Sequence, residues 1–211
     1  MASGRLRHAK RTKSNRTKSG QGLVEFALVG GLFFFLLFSI INAGFFLYGR
    51  NAVEHAADVG VAAIAAEGNC VAQPVTCPTP PTTTGDADQV GISRMDAAGL
   101  TTTPLTTVTE IDVWHEIEQS SGVFVDDMTC SAGGGSGTGG IACENRYTTA
   151  GTVLNGGGVL PWPPNTRSVC GTCASGPDFA KLVITFKYVM LVGNTTFTLT
   201  TNNVFRLEPQ L

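Results

Sequence analysis

Gly20-Gln-Gly-Leu-Val-Glu-Phe26 leads into an apolar run, Phe26-Ala-Leu-Val-Gly-Gly-Leu-Phe-Phe-Phe-Leu-Leu-Phe-Ser-Ile-Ile-Asn-Ala-Gly-Phe-Phe-Leu-Tyr48, and the two together decide the architecture. The run carries no charge, and Asn42 is its only strongly polar interior member. As a helix it is about 34 Å long at ~1.5 Å per residue, enough to cross a hydrocarbon core of ~30 Å. The apolar core of a secretory signal is shorter, ~7–15 residues, and ends in a small-residue cleavage site. Here Tyr48-Gly-Arg50 follows instead, so the span is expected to be retained and any cleavage to fall on its N-terminal side. Glu25 stands at the edge of the run. An ionisable group there is costly in lipid and marks a functional-site candidate; the plainer alternative is an incidental Glu that snorkels to the headgroups.

The net charge of −2 hides an asymmetry. Arg5, Arg7, Lys10, Arg11, Lys13, Arg16 and Lys18 are seven of the fourteen basic residues, and the first twenty residues contain no Asp or Glu. Without that leader, seven basic residues face sixteen acidic ones, a net charge of −9. So acidic a remainder is a poor partner for nucleic acid, whose phosphates demand basic surface. The leader alone could be read as a nucleic-acid arm. Beside an apolar span, however, positive charge holds its own side in the cytoplasm, which puts the rest of the chain on the other side.

Six cysteines, Cys70, Cys77, Cys130, Cys143, Cys170 and Cys173, all follow the span. Outside the cytoplasm disulfides persist, and an even count favours cross-links over catalysis. Six cysteines allow fifteen pairings. The nearest-neighbour scheme, Cys70–Cys77, Cys130–Cys143 and Cys170–Cys173, is preferred because each pair brackets one irregular segment.

Small and apolar residues continue beyond Tyr48 at helical spacing (Ala52, Ala56, Val59, Ala63, Ala66), interleaved with Arg50, Glu54, His55, Asp58 and Glu67. One long helix is expected from about Leu23 to Glu67, lipid-embedded first and amphipathic afterwards, with Gly68-Asn69 ending it. Its Ala and Gly residues suit close approach by another helix or a sheet. Residues 69–85 are Pro/Thr-rich and read as a loop. Ala87–Leu100 reads as a short helix with Val90, Met95 and Ala98 on its apolar side. Thr107–Glu118 reads as a strand, with Gly122–Val125 continuing it. Residues 129–176 read as a Gly/Thr/Pro-rich surface insertion. Lys181–Val192 alternates, with Leu182, Ile184, Phe186 and Tyr188 on one face; Gly193-Asn194 is a turn and Thr195–Leu207 the return strand. The apolar face of this small antiparallel sheet needs a cover, and the outer half of the long helix supplies it. The expected fold is α+β: a basic leader (1–20), a transmembrane and amphipathic helix (21–68), and an antiparallel-sheet domain with disulfide-tied loops (69–211).

The segment Gly20-Gln-Gly-Leu-Val-Glu-Phe-Ala, the apolar helix and Tyr48-Gly-Arg-Asn-Ala-Val-Glu-His-Ala-Ala-Asp-Val-Gly-Val-Ala-Ala together resemble the TadE-like family, pseudopilins of the tight-adherence (Flp-type) pilus system. The likeness is specific over about residues 20–67 and loose beyond, although the late hairpin running into Arg206-Leu-Glu-Pro209 is similar to the family's C-terminal end. Relatives typically carry Arg where this chain has Asp58 and Val61. The resemblance implies cleavage by a membrane prepilin peptidase after Gly20, with Gln21 the new N-terminus, Glu25 the acidic fifth residue and Phe26 the sixth. It also implies partners: the lipid bilayer, the peptidase, other pilins or pseudopilins and the pilus assembly platform. Physical chemistry agrees with these roles. Gly20 lets protease groups approach the backbone, and a buried Glu25 needs a cation, for which the freed amine of Gln21 is the nearest candidate.

Other chemistry is thinner. Cys170-Gly-Thr-Cys173 is a CxxC, but in a Pro/Gly loop rather than at the helix N-terminus that redox folds use. Zinc is disfavoured because His8, His55 and His115 lie near no cysteine pair in sequence. Asp86-Ala-Asp88-Gln-Val-Gly91 begins like a calcium loop, but Val90 and Ala97 occupy ligand positions. Asn194-Thr-Thr matches a glycosylation sequon, with a hairpin turn the simpler account. Trp114 is expected in the core and Trp162, among prolines, on the surface. The expectation is a structural protein and peptidase substrate with no enzyme activity, cofactor or metal. The alternatives are an unprocessed single-span envelope protein with a surface-binding ectodomain and a membrane-tethered thiol oxidoreductase using Cys170 and Cys173.

Overall fold

A computed structural model describes residues 18–68, 86–119, 122–130, 141–155, 158–169, 177–191 and 195–207. The chain divides into two compact units, Met1–Ile41 and Asn42–Leu211. The described part of the first is helix alone. Its apolar side chains are exposed, Phe26 by 79% and Leu23 by 72%, as expected of a segment whose solvent is not water.

That helix, α1 (Lys18–Glu67), begins five residues earlier than the apolar pattern implies and runs unbroken into the second unit. The polar residues Lys18–Gly22 propagate a helix that the apolar run has already nucleated, which costs little. It stops where expected: Gly68 takes φ +47° and its N–H donates to the Ile64 carbonyl at 2.8 Å, a glycine C-cap. From Asn42 onward one face is buried, through Gly49, Val53, Ala56, Ala57, Gly60 and Ile64. This stripe corrects the expected one: of Ala52, Ala56, Val59, Ala63 and Ala66, only Ala56 is fully buried.

The second helix, α2 (Ala87–Ala97), starts at a capping box. The Asp86 carboxylate accepts from the Gln89 N–H at 3.0 Å, and the Gln89 side-chain oxygen accepts from the Asp86 N–H at 3.2 Å. This is the local purpose of Asp86 in the Asp86-Ala-Asp88 run. The inward residues are Ala87, Asp88, Gly91, Ile92 and Met95, so of the three expected apolar positions only Met95 is fully buried.

The sheet is antiparallel, with strands β1 (Thr106–Glu118), β2 (Phe124–Asp126), β3 (Glu144–Tyr147), β4 (Phe179–Val189) and β5 (Thr196–Arg206). Its order is β2-β1-β4-β5, with β3 beside β2 on the same edge of β1. Residues 122–125 do not extend β1; they turn back to pair Glu118 with Phe124. The expected uninterrupted insertion over 129–176 likewise contains a strand, β3, and a short 3-10 turn at Pro164–Thr166. A bulge between Val108 and Glu110 breaks the alternation of β1, and the Thr109 hydroxyl there donates to the Thr185 carbonyl.

As the alternation predicts, Leu182, Ile184, Phe186 and Tyr188 of β4 are all buried. Leu182, Ile184 and Phe186 share one core with Val53, Ala56 and Ile64 of α1, Ile92 and Met95 of α2, and Ile111 and Val113 of β1. The two tryptophans reverse their expected places. Trp162 is 1% exposed, whereas Trp114 is half-buried with the Lys181 ammonium 5.1 Å from its ring centre.

Candidate functional site

Gly20, Gln21, Glu25 and Phe26 lie in the first turns of α1, all exposed. Helical spacing sets residues four apart above one another, and the Gln21 side-chain amide donates to a Glu25 carboxylate oxygen at 3.0 Å. The Gly20–Gln21 peptide is itself helical. Among the described residues, no side chain lies within 4 Å of where a Cβ on Gly20 or Gly22 would stand. The helix from Gly20 has a mean hydropathy of 2.4 over its most apolar window, enough to cross a membrane. This is consistent with a single-pass membrane protein.

Of the six cysteines, Cys130 and Cys143 are joined, with Cα atoms 5.1 Å apart. Cys70, Cys77, Cys170 and Cys173 lie outside the described residues, as do the leader 1–17, the 193–194 turn and Glu208-Pro209.

A cluster that sequence spacing did not reveal forms beside this disulfide. His115 Nδ1 is 2.7 Å from Asp127 Oδ2, and its Nε2 is 3.7 Å from Asp178 Oδ1. The ring stacks on Trp162 at 4.7 Å. Burial alone would lower the His115 pKa, but hydrogen bonding and charge from Asp178 and Asp127 raise it above the ordinary value. Asp127 is also desolvated, yet bonds from the Thr129 hydroxyl and N–H and from His115 hold its pKa below the usual carboxylate range. Ligand atoms of His115, Asp127 and Cys143 all lie within 4.8 Å of one another. Metal binding at cysteine requires a thiolate, which the bridge to Cys130 removes. With that sulfur occupied, the arrangement fixes an imidazole between two carboxylates and an indole.

The second cluster is deeper. Asp88 and Arg167 are paired through two parallel bonds, Nη1–Oδ1 and Nη2–Oδ2, both 2.6 Å. Tyr147 and Asn145 also donate to Asp88, at 2.9 and 3.0 Å. Asn145 further donates to the Trp162 carbonyl and accepts from its N–H. The guanidinium lies 4.2 Å from the centre of the Trp162 ring, opposite in role to His115. Burial and the Asp88 charge push the Tyr147 phenol well above its ordinary pKa, so it stays a donor. The network ties α2, β3 and the 158–169 segment together. A third group sits at the sheet edge, where Lys181 bridges Glu116 (2.8 Å) and Asp126. Each of these clusters ties separate elements of the fold together.

Comparison with curated proteins and with solved structures finds no match. A family model described as TadE-like protein matches residues 20–62, which covers most of α1 and none of the sheet. Residues 20–62 are therefore similar to the TadE-like family, the one that Gly20–Phe26 and the helix behind it resemble.

Proposed function

We propose that this chain is a pseudopilin associated with a tight-adherence (Flp-type) pilus: a membrane-held subunit, processed after Gly20 by a prepilin peptidase, that works through assembly rather than catalysis. The observation that carries this reading is the TadE-like match over residues 20–62 on a helix that runs without a break from exposed apolar surface into the core of a folded domain.

On this reading Glu25 matters after cleavage. The α-amine of Gln21 then becomes a cation four residues from Glu25, on the same subunit or offered to a neighbour's carboxylate. In a low-dielectric setting such a pair is strongly attractive and an unpaired charge is costly, so pairing selects the register between subunits.

The test is the N-terminal sequence and intact mass of the protein from native membranes. An N-terminus at Gln21, lost in Gly20→Val or in a host without the peptidase, supports the reading. An intact leader overturns it and leaves a signal-anchored envelope protein. Glu25→Gln should still be cleaved but recovered poorly with the assembled pilus fraction.

A further inference from the structure

The sheet has one uncharged end, and that end lies level with apolar helix. No charged residue occurs between Tyr188 and Phe205, nor between Ala97 and Thr109. These stretches contain the end of β4, most of β5 and the start of β1. Thr106 pairs with Tyr188, and Tyr188 with Phe197, so the three meet at the same end of the sheet.

Three contacts fix where this end lies along α1. Asn42 Oδ1 accepts the Leu191 N–H at 2.9 Å, and the Asn42 carbonyl accepts the Tyr188 hydroxyl at 3.3 Å. Phe46 packs edge-on to the Tyr188 ring at 5.3 Å. A Cβ on Gly49 would stand 2.7 Å from the Thr106 hydroxyl, so only glycine admits the start of β1 there. Asn42 is six residues before Tyr48, about 9 Å on the lipid side of the end of the apolar run at ~1.5 Å per residue. Counted from Phe26 it lies about 24 Å along the helix, within a hydrocarbon thickness of ~30 Å.

The end of the sheet is also prepared for a dry environment. Exposed backbone donors are expensive in lipid, and among the described residues three at this end are answered: Leu191 N–H by Asn42, Met190 N–H by the Thr195 carbonyl, and Val189 N–H by the Leu105 carbonyl. Leu191, Phe197, Leu47 and Tyr48 remain 52%, 46%, 55% and 59% exposed. Exposed Lys187, one residue above Tyr188, is the first charge along β4 and stands at a height suited to lipid phosphates.

We propose that the uncharged end of the sheet, with Leu191 and Phe197 at its surface, seats in the lipid boundary around Asn42–Tyr48, so that the domain rests on the bilayer and does not stand clear of it. The occupant is lipid because the face is continuous with the apolar flank of α1, which the membrane must already cover. The proposal rests on the reading of α1 as a membrane span.

The full chain would be reconstituted in 3:1 phosphatidylcholine/phosphatidylglycerol vesicles with bromine at acyl carbons 6 and 7. Single tryptophan reporters would replace Leu191, Phe197, Val123 at the opposite end of the sheet, or Phe35 in the span. The proposal expects Leu191→Trp to add a blue-shifted emission component that brominated lipid quenches at least about twofold, with Phe35→Trp also quenched and Val123→Trp unaffected. Leu191→Trp unquenched while Phe35→Trp is quenched overturns the seating and leaves the span intact. Both unquenched overturns the span reading, and the seating with it. Should Leu191→Trp fail to fold, Phe197→Trp carries the same test.

Discussion

Arg167 and Asp88 face each other fork to fork with both side chains at 0% exposure, so neither charge has water to fall back on. Breaking such a pair from one side leaves an uncompensated buried charge, at a typical loss of ~3–5 kcal/mol. Arg167→Met should therefore destabilise the domain by about that amount. The Asp88 carboxylate would keep only Tyr147 and Asn145 as donors. Urea unfolding in detergent micelles, followed by near-ultraviolet dichroism of the Trp162 region, would measure it. A loss below about 1 kcal/mol would mean that the guanidinium is not holding α2 to the 158–169 segment.

Asp112 shapes the pH dependence in the less usual direction. It is 7% exposed, one of its oxygens has no hydrogen-bond partner, and its pKa is raised to about 7. Burial is the main cause, with the charges of Glu110 and Glu144 adding to it against Arg146. A folded-state value above the unfolded one means the stability it contributes is complete below about pH 4 and lost as pH rises through about 7. His115, also raised, acts in the same direction at higher pH. Asp112→Asn should leave stability at pH 4 nearly unchanged and increase it at pH 8 by on the order of 2 kcal/mol. Parallel melts at the two pH values decide this, and a variant that tracks the parent at both removes Asp112 from the account.

The Cys130–Cys143 bridge closes a loop of sequence separation 13 around the glycine-rich stretch 131–140. Cross-linking a loop of this size restrains the unfolded chain by about 3 kcal/mol. Replacing both cysteines with alanine should lower stability by 2–4 kcal/mol while leaving the far-ultraviolet signal of α1 unchanged. Loss of that helical signal as well would show that the bridge supports more than its own loop.

How much of this was readable in the chain depends on periodicity. The buried face of β4 follows from strict alternation, and α1 from its length and composition. The stripe on the outer half of α1 was read one position off. Nearly every residue from Ala52 to Ala66 is small or apolar, so two stripes compete, and the sheet selects the one with the larger Val53 and Ile64 and the flat Gly49 and Gly60. β3, Glu-Asn-Arg-Tyr, is too short and polar to signal a strand; pairing with Ile111–Trp114 creates it. Trp162 is buried through partners in distant sequence, Asn145 and His115, which no local pattern in a Pro/Gly segment announces. The Asp86–Gln89 capping box was a local signal, visible as Asp followed three residues later by Gln, and it accounts for Asp86, while Asp88 belongs to the pair with Arg167. The motif at Gly20–Phe26 is the opposite case: the role proposed for it is covalent processing, which leaves a signature in sequence and almost none in the folded geometry.

The α1–α2 contact offers a graded test of close packing. A Cβ on Gly91 would come 2.3 Å from Ile64 Cγ1 and 3.2 Å from the Gly60 carbonyl oxygen. For one on Gly60 the three nearest atoms all belong to the Met95 side chain, with Cγ at 2.4 Å and Sδ at 2.6 Å. Alanine in place of glycine gains up to ~1 kcal/mol of helix propensity at either position. At Gly60 the unbranched Met95 can swing aside, and the gain and the cost roughly cancel. At Gly91 the β-branched Ile64 is stiff and the carbonyl belongs to the helix backbone, so the helices must separate, with a typical overpacking cost of ~1–3 kcal/mol. Gly91→Ala should thus be the more destabilising of the two by at least about 1 kcal/mol in the same urea assay. The reverse order would mean that the crossing is set by Met95 and not by the approach of the two backbones.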